Sequence, residues 1–171
     1  LLEIDNAPVI EQKLQNITSV IRSYFKDKNI RIGNISLSDQ KVFFKVEDRF
    51  KQIVIDEFND ENSEINPYYP RFKSHQFDLV DLGDLLELSF SNQGLVELKT
   101  SSQDQALEII RRRIDEVGTN EPNILKRGNN RVLVELPGLD DPMRIKSLLG
   151  KTANLTFRLV SNNSEDSFGV E

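Results

Sequence analysis

Asn123-Ile124-Leu125-Lys126-Arg127-Gly128-Asn129-Asn130-Arg131-Val132-Leu133-Val134-Glu135-Leu136-Pro137-Gly138 reads as two short strands around a turn. Asn123 to Arg127 and Arg131 to Leu136 supply the strands, and Gly128-Asn129-Asn130 supplies residues that tolerate a reversal. Pro137 has no N–H for a further ladder bond and Gly138 permits a tight turn, so the hairpin stops at a corner. On the C-terminal side, Asp141-Pro142 opens a short helix carrying Ile145, Leu148 and Leu149 and closed by Gly150, after which Leu155, Phe157 and Leu159 alternate as a strand. On the N-terminal side, Ser102 with Gln105 makes a capping box, Ala106, Ile110, Ile114 and Val117 stripe a helix, and Gly118 follows as its left-handed stop. Ahead of that helix, Ser91 to Gly94 is turn chemistry and Val96 and Leu98 alternate as a strand. The order from Gly94 to Val160 therefore predicts β-α-β-β-α-β. This is an α+β, ferredoxin-like unit: an antiparallel sheet with two helices on one face.

Upstream, Leu1 to Asp5 reads as a strand. Ile10, Leu14, Ile17, Ile21 and Tyr24 then recur at helical spacing between about Pro8 and Lys28, with Asn6 as the cap. Ile30 to Leu37 and Val42 to Val46 predict a hairpin around Ser38-Asp39-Gln40. Asp48 opens a helix striped by Phe50, Ile53, Val54 and Phe58. Asn66 to Gly83, with Pro67 and Pro70, predicts irregular structure, and Leu86, Leu88 and Phe90 alternate as a strand. Element order in this half echoes the C-terminal unit without a residue-level repeat. The expected organisation is an N-terminal α+β lobe at 1–93, a ferredoxin-like base at 94–160, and a polar tail at 161–171 that begins a further region of a longer protein.

Composition excludes more than it assigns. The 171 residues carry 22 Lys+Arg against 28 Asp+Glu, a net charge of −6, one His and no Cys. Neither an anionic-membrane nor a nucleic-acid surface fits that balance, and disulfide scaffolds and thiolate metal sites are absent. With His75 alone, no His-based metal site or catalytic triad can be assembled. Asp78, Asp81 and Asp84 repeat, but nothing marks an apolar pocket that would raise one carboxyl for acid catalysis. The acidic run Asp56 to Glu64 lacks the glycine and closing glutamate of an EF-hand loop. Arg111 and Arg112 have acids one turn away, which describes a neutralised exposed face. Arg113 falls on the edge of the buried stripe and is expected to meet a carboxylate or carbonyls there. No phosphate loop occurs, and Arg131 to Leu136 lacks the stacking aromatics of an RNA-binding sheet.

Arg111-Arg112-Arg113-Ile114-Asp115-Glu116-Val117-Gly118, Glu121-Pro122, Gly128, Arg131 to Gly138, Leu149-Gly150, Ala153, Leu155 and Phe157-Arg158-Leu159-Val160 together resemble the first extracytoplasmic region of the SecD/SecF family of bacterial protein-export membrane proteins. Leu1 to Asp5 is similar to the family's segment following its first membrane helix. The resemblance implies a non-enzymatic auxiliary subunit in the bacterial inner membrane. It would work with SecF beside the SecYEG channel, use the proton-motive force, and help draw preproteins outward. This chain would be the periplasmic base beneath a mobile head, with no catalytic residue, metal or cofactor and no nucleic-acid partner. Proton-relay residues of the family lie in membrane helices outside it. The motif residues Arg113, Gly118, Glu121, Pro122, Gly128, Arg131, Glu135, Leu136, Pro137, Gly138 and Gly150 are read as structural. Tyr68 and Tyr69, or a free sheet edge, are the candidate contacts for an extended chain. The competing reading is a soluble ferredoxin-like regulatory module that binds a small molecule.

Overall fold

The structure, a computed structural model, describes residues 1–116 and 122–137, with Met143, Ser147 and Leu149. Leu1–Pro137 forms one compact unit. Gly138–Glu171 forms another, of which Met143, Ser147 and Leu149 are helical. The helix expected from Asp141 to Gly150 as a whole, the strand at Leu155 to Leu159, and Gly118, Glu121, Gly138, Gly150 and the tail lie outside the described residues.

The chain is mixed α+β with antiparallel sheets. It runs β1 (Leu2–Glu3), α1 (Ala7–Asp27), β2 (Ile32–Ser38), β3 (Lys41–Val46), α2 (Asp48–Asn59), β4 (Tyr68–Tyr69), β5 (Ser74–His75), β6 (Phe77–Asp81), β7 (Leu86–Phe90), α3 (Asn92–Asp115), β8 (Asn123–Arg127) and β9 (Arg131–Glu135). A four-stranded sheet has the order β2-β3-β7-β6, a three-stranded sheet the order β1-β9-β8, and β4 pairs with β5 alone.

The four-stranded sheet owes its register to hairpin chemistry. Asp39 and Gln40 both adopt positive φ, 50° and 58°, the backbone of a type I′ turn, and so set Ser38 opposite Lys41. Period-2 alternation then puts Val42, Phe44, Leu86, Leu88, Phe90 and Phe77 on one face, where all are buried. Helices α1 and α2 supply the opposing layer through Ile10, Leu14, Ile17, Ile21 and Phe25 and through Val54 and Phe58. At about 25 cal/mol per Å² of apolar surface, this contiguous cluster is the main favourable term in the fold.

Several side chains sit one step from where periodicity places them. Phe25 is fully buried in place of Tyr24, because the Tyr24 hydroxyl needs a polar partner and reaches one at the helix edge. Ile53 is half exposed, since the α2 stripe centres on Val54 and Phe58. Asn6 makes no side-chain cap; the Ala7 N–H instead donates to Asp5 Oδ1 at 3.0 Å.

Tyr24 Oη donates to Glu57 Oε1 at 2.6 Å and Lys28 Nζ donates to Glu57 Oε2 at 2.7 Å, tying α1 to α2. Partial burial pushes the Glu57 carboxyl up, but hydrogen bonds from Lys28 and Tyr24 outweigh it and hold the group below its ordinary 4.5. A carboxyl depressed in the folded state contributes stability above its unfolded pKa and loses it as pH falls through the folded one. Glu57→Gln should therefore lower Tm by about 2 °C near neutral pH, a partly exposed pair being worth little. The gap should close on acidification in thermal melts across pH, and a pH-independent gap would mean the charge is irrelevant.

The largest departure from expectation concerns residues 91–105. The predicted turn at Ser91 to Gly94, the strand at Val96 and Leu98, and the capping box at Ser102 and Gln105 all fall within one continuous helix. Ser91 is its N-cap, with Oγ accepting from the Gly94 N–H at 2.9 Å. Gly94, Leu98 and Ser102 then recur at four-residue spacing and are buried, while Val96 is 45% exposed. A ferredoxin-like unit beginning at Gly94 therefore loses its first strand. The segment expected to be irregular also contains β4, β5 and β6. Its ladder forms because Gly83, at φ +89°, lets β6 turn back onto β7.

Candidate functional site

The family-motif residues that are described gather around the three-stranded sheet. Leu2 pairs with Val132 and Glu3 with Arg131, so the N-terminal strand lies beside β9. Two bonds fasten it: Ile4 N–H to Asn130 O at 2.7 Å and Asn130 Nδ2 to Glu3 Oε1 at 2.8 Å. Gly128 turns the β8-β9 hairpin at φ +61° with open space where a Cβ would be, so the positive φ is its requirement. Arg113 is half-buried on α3, and Pro122 and Leu136 are half-buried at the ends of the hairpin. Arg131 and Glu135 are exposed, Glu135 Oε2 accepting from Asn123 Nδ2 at 2.7 Å, and Pro137 is exposed just past β9.

What joins this hairpin to α3 is Gln103. The residue is 3% exposed, and its Nε2 donates to Gly128 O at 3.0 Å and to Arg131 O at 2.8 Å. Lys126 and Asp104 form an ion pair beside it. Sequence reasoning passed over Gln103 although a signal existed: it stands seven and eleven residues before Ile110 and Ile114, on the same buried face. Gln103→Ala should cost about 1–3 kcal/mol by leaving two carbonyls without their donor. Gln103→Glu should cost more, because a carboxylate would face both carbonyls. Chemical denaturation measures both, and equal stability of the two variants would mean the clamp does not act through its donor.

Tyr68 and Tyr69 are brought together on β4, but as parts of a small hairpin. The Tyr68 ring centre lies 4.7 Å from that of His75, and Tyr69 pairs with Ser74. Both tyrosines are half-buried, whereas Phe72 at the hairpin tip is 48% exposed. Burial and a hydrogen bond to Glu61 raise the Tyr68 hydroxyl pKa; burial and the nearby Glu97 charge raise that of Tyr69. His75 Nε2 lies 3.1 Å from Asp60 O. Among the described residues no cluster of His, Cys, Asp or Glu is arranged to hold a metal, and no helix is long and apolar enough to cross a membrane.

Two buried polar groups missed in the sequence organise this side of the molecule. Asn66, 1% exposed, donates from Nδ2 to Phe58 O at 2.8 Å and Phe77 O at 3.0 Å and accepts at Oδ1 from Phe77 N–H at 2.9 Å. Ser91 bonds through its Oγ to His75 O at 2.5 Å, and its N–H donates to Gln76 O at 3.0 Å. Together they hold the β4-β5 hairpin against α2, β6 and the start of α3.

Residues 103–162 match the family described as Protein translocase subunit SecDF, P1 domain, N-terminal. The likeness extends well beyond them. Protein translocase subunit SecD of Desulfurispirillum indicum is 31% identical over 166 residues, 95% of this chain and 30% of that protein. SecD of Pseudomonas aeruginosa is 30% identical over 170 residues, 94% of the chain and 25% of the relative. SecD of Magnetococcus marinus is 44% identical over 86 residues, half of the chain. No solved structure matches. These matches liken the mixed α+β unit to part of a class of protein-translocase subunits. Within that class the chain is similar along nearly all its length to SecD, and residues 103–162 match the P1 region. It spans about 30% of the length of the first of these relatives.

Proposed function

We propose that this chain is the periplasmic part of a SecD-like auxiliary subunit of the Sec translocase, which aids proton-motive-force-driven preprotein export across the inner membrane. In this reading it works with SecF and SecYEG, contacts preproteins weakly, and passes conformational change from membrane helices to a head region. The supporting observation is the SecD likeness running through 95% of the chain. The strand order β1-β9-β8, with α3 packed on β8 and β9, fits a ferredoxin-like base whose first strand is Leu2–Glu3. In that base, α1 to β7 would be a lobe inserted after the first strand. Such a base is suited to a lever, because one three-stranded sheet ties the N-terminal strand to the hairpin that precedes the head.

Preprotein contact would use free backbone at a sheet edge or the hairpin around Tyr68 and Tyr69, since strand addition reads backbone and suits clients of no common sequence. The role is tested by a full-length SecD in which this chain replaces the corresponding segment, expressed in a bacterium depleted of its own SecD. Restored processing of a signal-bearing reporter is expected. Precursor accumulating as in the depleted strain, with the chimera present at normal level, would defeat the role.

A further inference from the structure

The two edges of the four-stranded sheet are not equivalent. At the β6 edge Asn66 occupies the N–H and C=O of Phe77, and Lys51 lies across the other end, donating to Gly83 O at 2.5 Å and sitting 3.4 Å from Asp81. The β2 edge has no such cover among the described residues. Its two-residue turn makes Ser38 and Lys41, and then Ser36 and Phe43, the pairs that exchange ladder bonds. Ile35 and Leu37 face Phe44 and Val42 in the intervening pairs, so their N–H and C=O groups point away from the sheet.

The ground beside this edge is shaped and charged. Between α1 and the start of β2 lies an open hollow of about 400 Å³ lined by Arg22, Lys26, Asn29, Ile30, Arg31 and Ile32. A second hollow of about 260 Å³, at the far end of β2, includes Glu11 and Asp39. Lys26 in the last turn of α1 suits the helix dipole. That account does not extend to Arg22 and Arg31, and none of the three cations has an ion-pair partner among the described residues, in a chain of net charge −6. The groove is therefore positive beside Ile32 and negative beside Ser38, and β2 spans about seven residues between the two hollows.

We propose that the β2 edge receives an extended polypeptide segment that runs antiparallel to β2. An acidic residue at the segment's C-terminal end sits among Arg22, Lys26 and Arg31, and Ile35 and Leu37 supply the backbone rungs. The charge polarity selects the direction, because a segment running the other way must bring its acid to Glu11 and Asp39. This rests on the reading of the chain as a contact for extended preprotein segments, and it names the place, the orientation and the chemistry preferred.

The experiment is an amide chemical-shift titration of the chain with a seven-residue probe of alternating threonine and valine, bearing a lysine at its amino end and a glutamate at its carboxyl end, and with a twin whose two charges are exchanged. Shifts at Ile35, Leu37 and Arg31 are expected, with affinity about tenfold weaker for the twin and for Arg22→Glu/Lys26→Glu, whose positions are on the helix surface. Ile35→Pro, which removes an outward N–H and is compatible with an edge strand, should weaken binding similarly. Shifts confined to the Tyr68 hairpin or the β8 edge would overturn the groove while leaving extended-chain contact standing. Equal affinity of the probe, its twin and the charge-reversed variant would overturn the acidic seat. No shift anywhere at about 5 mM of either probe would overturn both the groove and the contact reading.

Discussion

Gly94→Ala is expected to be the most damaging single substitution in the described part of the chain. A Cβ on Gly94 would stand 2.1 Å from Gln76 O and 2.9 Å from its carbonyl carbon. The obstructing atoms are backbone and cannot rotate aside. The same Gln76 carbonyl accepts from the Ser91 N–H, and Ser91 Oγ caps α3 through the Gly94 N–H. Moving the helix away to make room breaks the cap and loosens the β5-β6 junction together. Overpacking against backbone costs about 3 kcal/mol or more, which for a chain of this size lowers Tm by about 10 °C. Val96→Ala, two residues along on the exposed face of the same helix, should stay within about 0.5 kcal/mol. Comparable Tm values for the two variants would mean that α3 is not held against Gln76.

Asn66→Ala should follow closely. Its three hydrogen bonds are all to backbone, and its loss strands the Phe58 and Phe77 carbonyls and the Phe77 N–H where water is excluded. The expected cost is about 3 kcal/mol. Asn66→Asp separates hydrogen bonding from shape: it keeps the acceptor for Phe77 N–H but replaces the donor with an oxygen facing two carbonyls. It should be at least as destabilising as alanine and should recover partly at low pH, where the carboxyl carries a proton to donate. Denaturant melts at neutral and acid pH read both effects. An Asn66→Asp variant as stable as wild type at neutral pH would contradict the assigned bonding.

The hairpin of β8 and β9 was readable because its turn residues and its stop at Pro137 are local signals, and α1 was readable because five residues keep one stripe over 21 positions. Val96 and Leu98 misled because Gly94-Leu95-Val96-Glu97-Leu98 satisfies a two-residue alternation and a four-residue helical step alike. Ser91 decides between them through one bond to the Gly94 N–H, and a serine before a glycine looks the same in a turn. The pairing of β1 with β9 joins opposite ends of the unit through two residues, too short a run to announce its partner. Phe77 and Leu79 do alternate in β6, yet Pro67 and Pro70 just upstream concealed the strand. Tyr68 and Tyr69 are neighbours in sequence, but the hairpin that half-buries them depends on pairing with His75 and Ser74, which no local pattern announces. Whether a strand is an edge depends on sheet order, so the open backbone of Ile35 and Leu37 left no mark in composition or spacing.

We propose above all that this chain touches the polypeptide being exported. Its most direct test places a photo-activated cross-linking side chain at position 37 in the full-length SecD chimera, with position 80 on the opposite face of the same sheet as comparison, while a preprotein is arrested in export. A preprotein adduct from position 37 is expected, and it should disappear when export is blocked before the chain emerges. Equal yields from positions 37 and 80 would contradict the β2 edge as the place of contact, and no adduct from either or from the Tyr68 hairpin, in a chimera that supports export, would contradict the contact itself.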